Sequence, residues 1–498
     1  MIKTIKPSPF IRDVGITAVT SIITTLAIII VTRLLAQGLG PKEFGAYILA
    51  RWVLAFVSPF STLAMGVALA RYIAISNDRQ SKNSYLLSGL FLGVIPSFIV
   101  LMTGLMFMNK LTIIIFHNEV YSSLVTATLL MIVGYSFYNV LYSYYRGANE
   151  MWKANLLQLG IMAIAPIIIA WKYVNFGRAD LIVLLRGACF FIPLLPLTLY
   201  IIKSIFHDKQ IIKVGNHLKE LFWYGLPRVP AGLALSGILF VGPFLAPYFG
   251  SLKEAGYLVV GQSMLTIVEN ALFAFGIVAL PKVAQLFAEG RNEFLKERAV
   301  DIIALVFHLG LFATLHLFLW SDQIVLIWLG NQYTEAIPLM MAILLGLIPY
   351  LVYVMLRSVI DAIEVRAVNT YNLYLSFGIT LVVSLLLAMI GLGTMGLAIG
   401  ATTGFLVLGL LTVFYLWKVY RFKINIFKIK ECLLLNTIFI AIAFVIKYRF
   451  IVNFKGITLI SMAFLGESIL FFIYFLILKQ LKVRWISELG NRVFGGVN

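Results

Sequence analysis

Long apolar runs, broken by short polar stretches, fill almost the whole chain. They fall near 14–36, 45–70, 85–108, 120–145, 156–174, 181–202, 223–249, 256–281, 299–320, 336–358, 371–391, 395–417, 433–450 and 457–478. A helix that crosses a bilayer core needs roughly 20 apolar residues. The pattern therefore predicts an all-α polytopic membrane protein with about fourteen transmembrane helices. The connections are too short to hold a soluble catalytic, nucleotide-binding or sensor domain. A G-x-x-x-x-G-K-[ST] phosphate loop is absent, which excludes an ATP-driven pump within this one chain.

Composition agrees. Of 498 residues, 61% are hydrophobic and 12% charged, with a mean hydropathy of +0.98. No soluble fold hides that much apolar surface. The net charge of +18 comes from 39 Lys+Arg against 21 Asp+Glu. The cations gather in alternate loops: Arg71, Arg79 and Lys82; Lys203, Lys209, Lys213 and Lys219; Lys282, Arg291, Lys296 and Arg298; Lys418, Arg421, Lys423, Lys428 and Lys430. By the positive-inside rule these loops and both termini are cytoplasmic. The charge excess is thus mainly topological, with anionic lipid headgroups as secondary partners and no role for nucleic acid. The basic start, MIKTIKPSPFIRD, precedes an apolar run too long for a cleavable signal, so it is read as a retained first span. Cys189 and Cys432 lie in an apolar span and a basic loop, which predicts neither a disulfide nor a thiolate metal site, and no cofactor is expected.

Two loops match each other. Lys42-Glu43-Phe44-Gly45 aligns with Lys253-Glu254-Ala255-Gly256, and the spans that follow end in MGVALAR and FGIVALPK. Both loops lead from the first to the second span of a six-span block. A duplicated unit with parallel halves follows: one six-helix lobe over 1–210, a second over 211–425, and helices 13 and 14 with a cytoplasmic tail over 426–498.

On these residues the sequence resembles the polysaccharide flippases of the multidrug/oligosaccharidyl-lipid/polysaccharide (MOP) superfamily. The carriers are the basic N-terminus, a first span ending TRLLAQGLGPKEFGAY, a next span ending ARYIA, and the 6+6+2 layout of the whole chain. The resemblance implies a V-shaped pair of lobes working by alternating access. It also implies export of an undecaprenyl-diphosphate-linked oligosaccharide, of the O-antigen repeat-unit type, from the cytoplasmic to the periplasmic leaflet of a bacterial inner membrane. A polysaccharide polymerase, a chain-length regulator and a coupling proton or sodium ion are the implied partners.

Such a substrate keeps its isoprenoid tail in lipid, so only the diphosphate and sugars need a polar path. Arginine suits the diphosphate, because its planar fork pairs with phosphate oxygens and stays charged. Five arginines fall inside the spans: Arg33, Arg51, Arg186, Arg228 and Arg357. Arg33, Arg51 and Arg228 lie on spans 1, 2 and 7, which line the cavity in the resembled family. Those three, with Gln262, are the candidate diphosphate and cavity residues. Arg186 and Arg357 are expected to snorkel to headgroups. Polar stripes mark one face each of span 1 (Thr17, Ser21, Thr24), span 2 (Arg51, Ser58, Thr62) and span 8 (Gln262, Thr266, Glu269, Phe273). Hydroxyls in such stripes also bond back to their own helix.

Glu269 stands near the middle of span 8, where an ionised carboxylate is costly. It is the candidate coupling and titrating group, with a structural ion pair as the alternative; for Glu467 on span 14 the structural role is favoured. Tyr135, Tyr138, Asn139 and Tyr142 form a stripe on span 4 that either contacts sugars or packs helices. Prolines within spans, such as Pro59, Pro243 and Pro349, predict bends. His308 and His316 suggest no metal site, having no carboxylate near them in sequence.

A lipid II flippase or a drug/cation antiporter is the rival within the superfamily. An antiporter for organic cations needs an acidic cavity, and the arginines argue against it. A membrane-embedded glycan polymerase or ligase is the rival of another class. It needs a large external loop, whereas segment 321–335 offers only Asp322 and Glu335 as acids. The chain is therefore not expected to be an enzyme.

Overall fold

Inside lipid, backbone N–H and C=O groups find no water, and only an α-helix or a closed barrel satisfies them. In the computed structural model, which describes residues 9–76, 78–207, 214–288, 292–363, 368–421, 426–451, 454 and 456–480, the regular elements are helices. In chain order these are α1 (Pro9–Ser61), α2 (Met65–Ile75), α3 (Arg79–Met106), α4 (Met108–Phe116), α5 (Ser122–Gly147), α6 (Met151–Gln158), α7 (Ala165–Tyr173), α8 (Ala179–His207), α9 (Val214–Gly225) and α10 (Val229–Phe249). There follow α11 (Leu252–Ala288), α12 (Asn292–Leu319), α13 (Ser321–Trp328), α14 (Ala336–Leu344), α15 (Leu347–Ile363), α16 (Val368–Leu387), α17 (Gly393–Tyr420), α18 (Ile426–Ile446) and α19 (Gly456–Gln480).

Ten described helices are long and apolar enough to cross a membrane, eleven if the pair α14–α15, bent by 46°, is one span. Two continuous rods each hold two spans. The first, α1, breaks at Gly40, whose φ of 74° suits glycine, and restarts at Pro41. The second, Val368–Val419, breaks where Gly391 and Gly393 have φ of 102° and 49°. Dividing both and adding α11 yields the fourteen passages that the hydropathy pattern predicts. Many large apolar side chains remain exposed, among them Ile99, Met106, Met389 and Phe464, as a lipid-facing surface requires.

The chain forms two compact units, Met1–Ser263 with Ser376–Ala401, and Met264–Leu375 with Thr402–Asn498. Their borders are not those of the sequence repeat. The positions Lys209, Lys213, Arg291 and Lys423 lie outside the described residues, as do the side chains of Phe273, Lys282, Lys296, Arg298 and Lys428.

In the first unit α5 packs against α8, α2 and α3. Ser143 Oγ reaches the Gly66 carbonyl of α2 at 3.1 Å, while two other buried hydroxyls of α5 bond back to their own turns, Thr128 Oγ1 to the Leu124 carbonyl at 2.7 Å and Ser136 Oγ to the Ile132 carbonyl at 3.1 Å. The stripes on spans 1 and 2 behave likewise: Thr24 donates to Thr20 O and Thr62 to Ser58 O, both at 2.8 Å. Asp78 caps α3, accepting from Ser81 N–H at 2.6 Å, and that bond holds its carboxyl below the usual range.

The two matching loops touch. A side chain at Gly45 would strike the Leu252 carbonyl, and Gly256 sits where a Cβ would meet the Phe44 ring at 3.0 Å and Gly45 Cα at 3.4 Å. Close approach of two helices explains the glycine that ends each Lys-Glu-x-Gly motif. Gly45→Ala should lower thermal stability by roughly 1–3 kcal/mol through overpacking. A melt of the detergent-purified chain checks this, with Gly40→Ala, strained at its positive φ but free of contacts, as a comparison.

In the second unit α12 packs against α15 and α18. Segment 321–335, read as a loop from sequence, contains α13, and its Asp322 pairs with Lys447 Nζ at 3.0 Å.

Candidate functional site

Arg51 and Arg186 are brought together in the first unit. Tyr47 precedes Arg51 by one helical turn, so the two share a face. The Tyr47 side chain is 1% exposed. Its hydroxyl accepts from Arg186 Nη1 at 2.5 Å. The Arg51 guanidinium interacts with the same hydroxyl, lies 5.9 Å from the ring centroid, and feels the charge of Arg186. No carboxylate pairs with either guanidinium among the described residues. Two cations held on one oxygen repel by roughly 2–3 kcal/mol at an effective dielectric near 20. A dianion seated between them would remove that repulsion and gain charge-assisted hydrogen bonds. Arg186 therefore does not snorkel as expected: a buried phenol within reach of its fork holds it in the unit.

Arg228 forms a second group. Its Nη1 donates to the Tyr224 carbonyl at 2.6 Å, and its guanidinium lies 3.6 Å from the Tyr224 ring centroid. Arg71 Nη1 donates to the Tyr224 hydroxyl at 3.0 Å. Arg228 and Arg71 are both exposed, and so is Arg33. Neither Arg33 nor Arg228 is among the groups acting on Arg51. The three candidate arginines thus do not form one cluster.

Gln262 is 3% exposed, and its Nε2 donates to the Leu239 carbonyl at 2.7 Å, tying α11 to α10. This is a helix-packing bond. The tyrosine stripe on α5 also packs. Tyr138 is 6% exposed and stacks on Tyr142 at 5.5 Å, while Tyr135 and Tyr138 meet Phe190 of α8. Tyr142 donates to Gln158 at 3.0 Å. Asn139 lies against Gly66 of α2, with its Oδ1 buried and unmatched.

Glu269 belongs to the second unit. The Tyr350 hydroxyl donates to Glu269 Oε2 at 2.7 Å, and Arg357 is close enough to act on it electrostatically. Arg357 stands 5.9 Å from the Tyr353 ring centroid, and its carbonyl accepts from Asn369. Here too a span arginine meets protein groups instead of extending to headgroups. Glu467 accepts from His316 Nδ1 at 2.5 Å and from Trp320 Nε1 at 2.6 Å. The carboxylate partner of His316, absent nearby in sequence, is supplied by α19. His308 pairs with Tyr474, 3.0 Å away.

The sequence held an unread signal for these contacts. Aromatic residues stand four positions before arginine in Tyr47–Arg51, Tyr142–Arg146, Tyr224–Arg228, Tyr353–Arg357 and Trp417–Arg421, and each guanidinium lies over its ring. Tyr142–Arg146 and Tyr353–Arg357 are separated by the same offset as the two Lys-Glu-x-Gly loops.

Comparison with known proteins gives a consistent picture. No curated protein matches the chain. A lipid II flippase, MurJ, in an inward closed conformation is similar in structure, with a TM-score of 0.69 at 16% identity, covering 94% of this chain and 99% of that one. An inward-facing multidrug resistance MATE family transporter of the MOP superfamily gives a TM-score of 0.68 at 16% identity, covering 80% and 94%. A MOP superfamily transporter from Pyrococcus furiosus, described as having a binding pocket of reverse polarity, gives 0.57 at 16% identity, covering 82% and 95%. These likenesses establish the fold. The family model described as polysaccharide biosynthesis protein matches residues 10–287, more than half of the sequence. With that match on top of the fourteen helical passages and the shared fold, the chain belongs to the polysaccharide biosynthesis protein family and has the fold of the MOP superfamily transporters.

Proposed function

We propose that this protein flips an undecaprenyl-diphosphate-linked oligosaccharide repeat unit from the cytoplasmic to the outer leaflet of a bacterial inner membrane. It is a transporter, not an enzyme, and works by alternating access with both termini in the cytoplasm. The observation that carries this reading is the pair Arg51 and Arg186 on Tyr47, two cations that no carboxylate pairs with among the described residues. An anionic head fits that arrangement, and an organic cation does not. The family supports polysaccharide as the material handled.

The membrane potential assists export. A charge crossing 100 mV is worth about 2.3 kcal/mol, so a dianion leaving a negative interior gains up to roughly 4–5 kcal/mol. An entering proton or sodium ion drives the return, with Glu269 as the coupling group between Tyr350 and Arg357. The lobes over 1–210 and 211–425, with helices 13 and 14 beyond, form the duplicated frame, and the equal offset of the two Tyr-x-x-x-Arg pairs supports that division. A polysaccharide polymerase and a chain-length regulator act downstream.

The test is reconstitution of the purified chain in vesicles with the lipid-linked oligosaccharide placed in one leaflet. Lectin access from the opposite side should appear in a protein-dependent manner. No transfer beyond protein-free vesicles rejects the reading. Glu269→Gln should abolish the pH dependence of the rate, and an unaltered pH profile rejects the coupling role.

A further inference from the structure

The second apolar run, 45–70, does not fold as one helix. Its backbone breaks between α1 and α2, where Leu63 and Ala64 take φ of 44° and 53°. Among the described residues no other two adjacent non-glycine residues have positive φ. The left-handed region crowds Cβ against the following carbonyl, so it is unfavourable for leucine and for alanine alike. Turn bonds close the break, from Leu63 N–H to the Phe60 carbonyl at 3.1 Å and from Ala64 N–H to the Pro59 carbonyl at 3.2 Å. Such strain persists only where the surroundings enforce it.

The enforcing element is α9. A side chain at Gly225 would strike the Leu63 carbonyl, so α9 lies directly on the break. Beyond the break, Arg71 Nη1 donates to the Tyr224 hydroxyl at 3.0 Å, and the Tyr72 and Tyr224 rings meet edge-on at 5.5 Å. On α3, the Tyr85 hydroxyl donates to Glu220 Oε2 at 2.5 Å and Ser88 Oγ donates to the Val214 carbonyl at 3.2 Å. The short turn Leu226–Arg228 joins α9 to α10, where Gly232 sits against Pro59, about one turn before the break. The elbow of α9 and α10 thus grips the span on both sides of its bend.

We propose that Leu63–Ala64 is a hinge and that α9 is its clasp. Docked, α9 holds α2 in the bent arrangement. Released, α2 winds on from the end of α1 as one helix, which relieves two left-handed residues and restores regular helical hydrogen bonds. Relief of strain offsets the lost contacts, so the span has two discrete arrangements, as a switching element requires. In the orientation proposed above, α2 and α9 stand at the cytoplasmic end, and the swing of α2 opens or closes the way in for the lipid head group. That use rests on the flippase reading, whereas the hinge itself rests on the backbone and its contacts.

Spin-label distances test the hinge directly. The full-length chain, with Cys189→Ser and Cys432→Ala, carries labels at Ile75→Cys on α2 and Trp223→Cys on α9, both exposed positions outside the hydrogen-bonded clasp. Two distance populations are expected in nanodiscs. Leu63→Gly with Ala64→Gly removes the strain of the bend and should raise the docked share at least about threefold. Arg71→Gln with Tyr85→Phe removes two clasp bonds and should lower it about threefold. A single population in every variant, or shares that the glycine changes leave alone, overturns the proposal. Transport is tested in the same cysteine-replaced background with Tyr72→Cys and Tyr224→Cys in place of the labels. Bridging the two with a short reducible cross-linker should arrest flipping monitored by lectin access, and reduction should restore it. Flipping that continues with the bridge in place overturns the part of the clasp in transport. Absence of flipping in the parent chain counts against the flippase reading instead, and the spin-label distances still decide the hinge.

Discussion

Arg186→Gln should slow flipping of the lipid-linked diphosphate at least about tenfold, and Arg51→Gln should do the same. A hydrogen bond between a charged donor and a phosphate oxygen is worth about 1.5–3 kcal/mol, or roughly ten- to 150-fold. Both guanidinium groups reach one phenol oxygen, so both act on the same dianion. The double change should therefore cost less than the product of the single ones. Arg186→Lys should recover part of the rate, since the charge returns without the fork. Tyr47→Phe keeps the ring against Arg51 and removes only the shared hydroxyl, so a smaller loss is expected. Rates measured by lectin access in vesicles decide the matter. A rate unchanged by Arg186→Gln would mean that the pair has no part in carrying the head group.

His316→Leu should be among the most destabilising single changes in the second unit. His316 is 6% exposed and stacks on Phe312, with centroids 3.9 Å apart and planes at 15°. Its loss leaves Glu467 with the Trp320 indole as a donor, inside a bundle of apolar helices. Removing one partner of a buried hydrogen bond costs about 1–3 kcal/mol, because the remaining polar group stays unmatched. Glu467→Leu should cost about 1–3 kcal/mol for each donor it strands, His316 and Trp320. The double change His316→Leu with Glu467→Leu should regain most of the loss, since apolar residues of similar volume replace a buried pair at little cost. Thermal melts in one detergent check the series. If the double variant melts as low as His316→Leu, the two residues are not coupled. The neighbouring Lys447, 1% exposed, serves as a control. Its Nζ donates to the Leu319 carbonyl at 2.6 Å and to Asp322 at 3.0 Å.

The packing of the tyrosine stripe shows why side-chain type and helical spacing do not settle a role. Tyr135, Tyr138 and Tyr142 have the spacing of a sugar platform and the spacing of a helix contact. Phe190, far along the chain on α8, decides for the contact at Tyr135 and Tyr138. Gln262 stands on a polar stripe whichever neighbour it has, and the Leu239 carbonyl makes it a packing bond.

Hydropathy alone determined that the chain is helical and crosses a membrane about fourteen times, because a lipid core demands apolar length and internally closed hydrogen bonds. The breaks at Gly40-Pro41 and at Gly391 and Gly393 follow from local backbone conformation at those residues. The repeat at Lys42 and Lys253 was equally plain, being a match of letters. The partners were not. That Arg186 shares a phenol with Arg51, that Glu467 meets His316, and that Arg71 meets Tyr224 depend on helices far apart in sequence. Periodicity fixes which face a residue occupies, and only packing in three dimensions decides what stands opposite it.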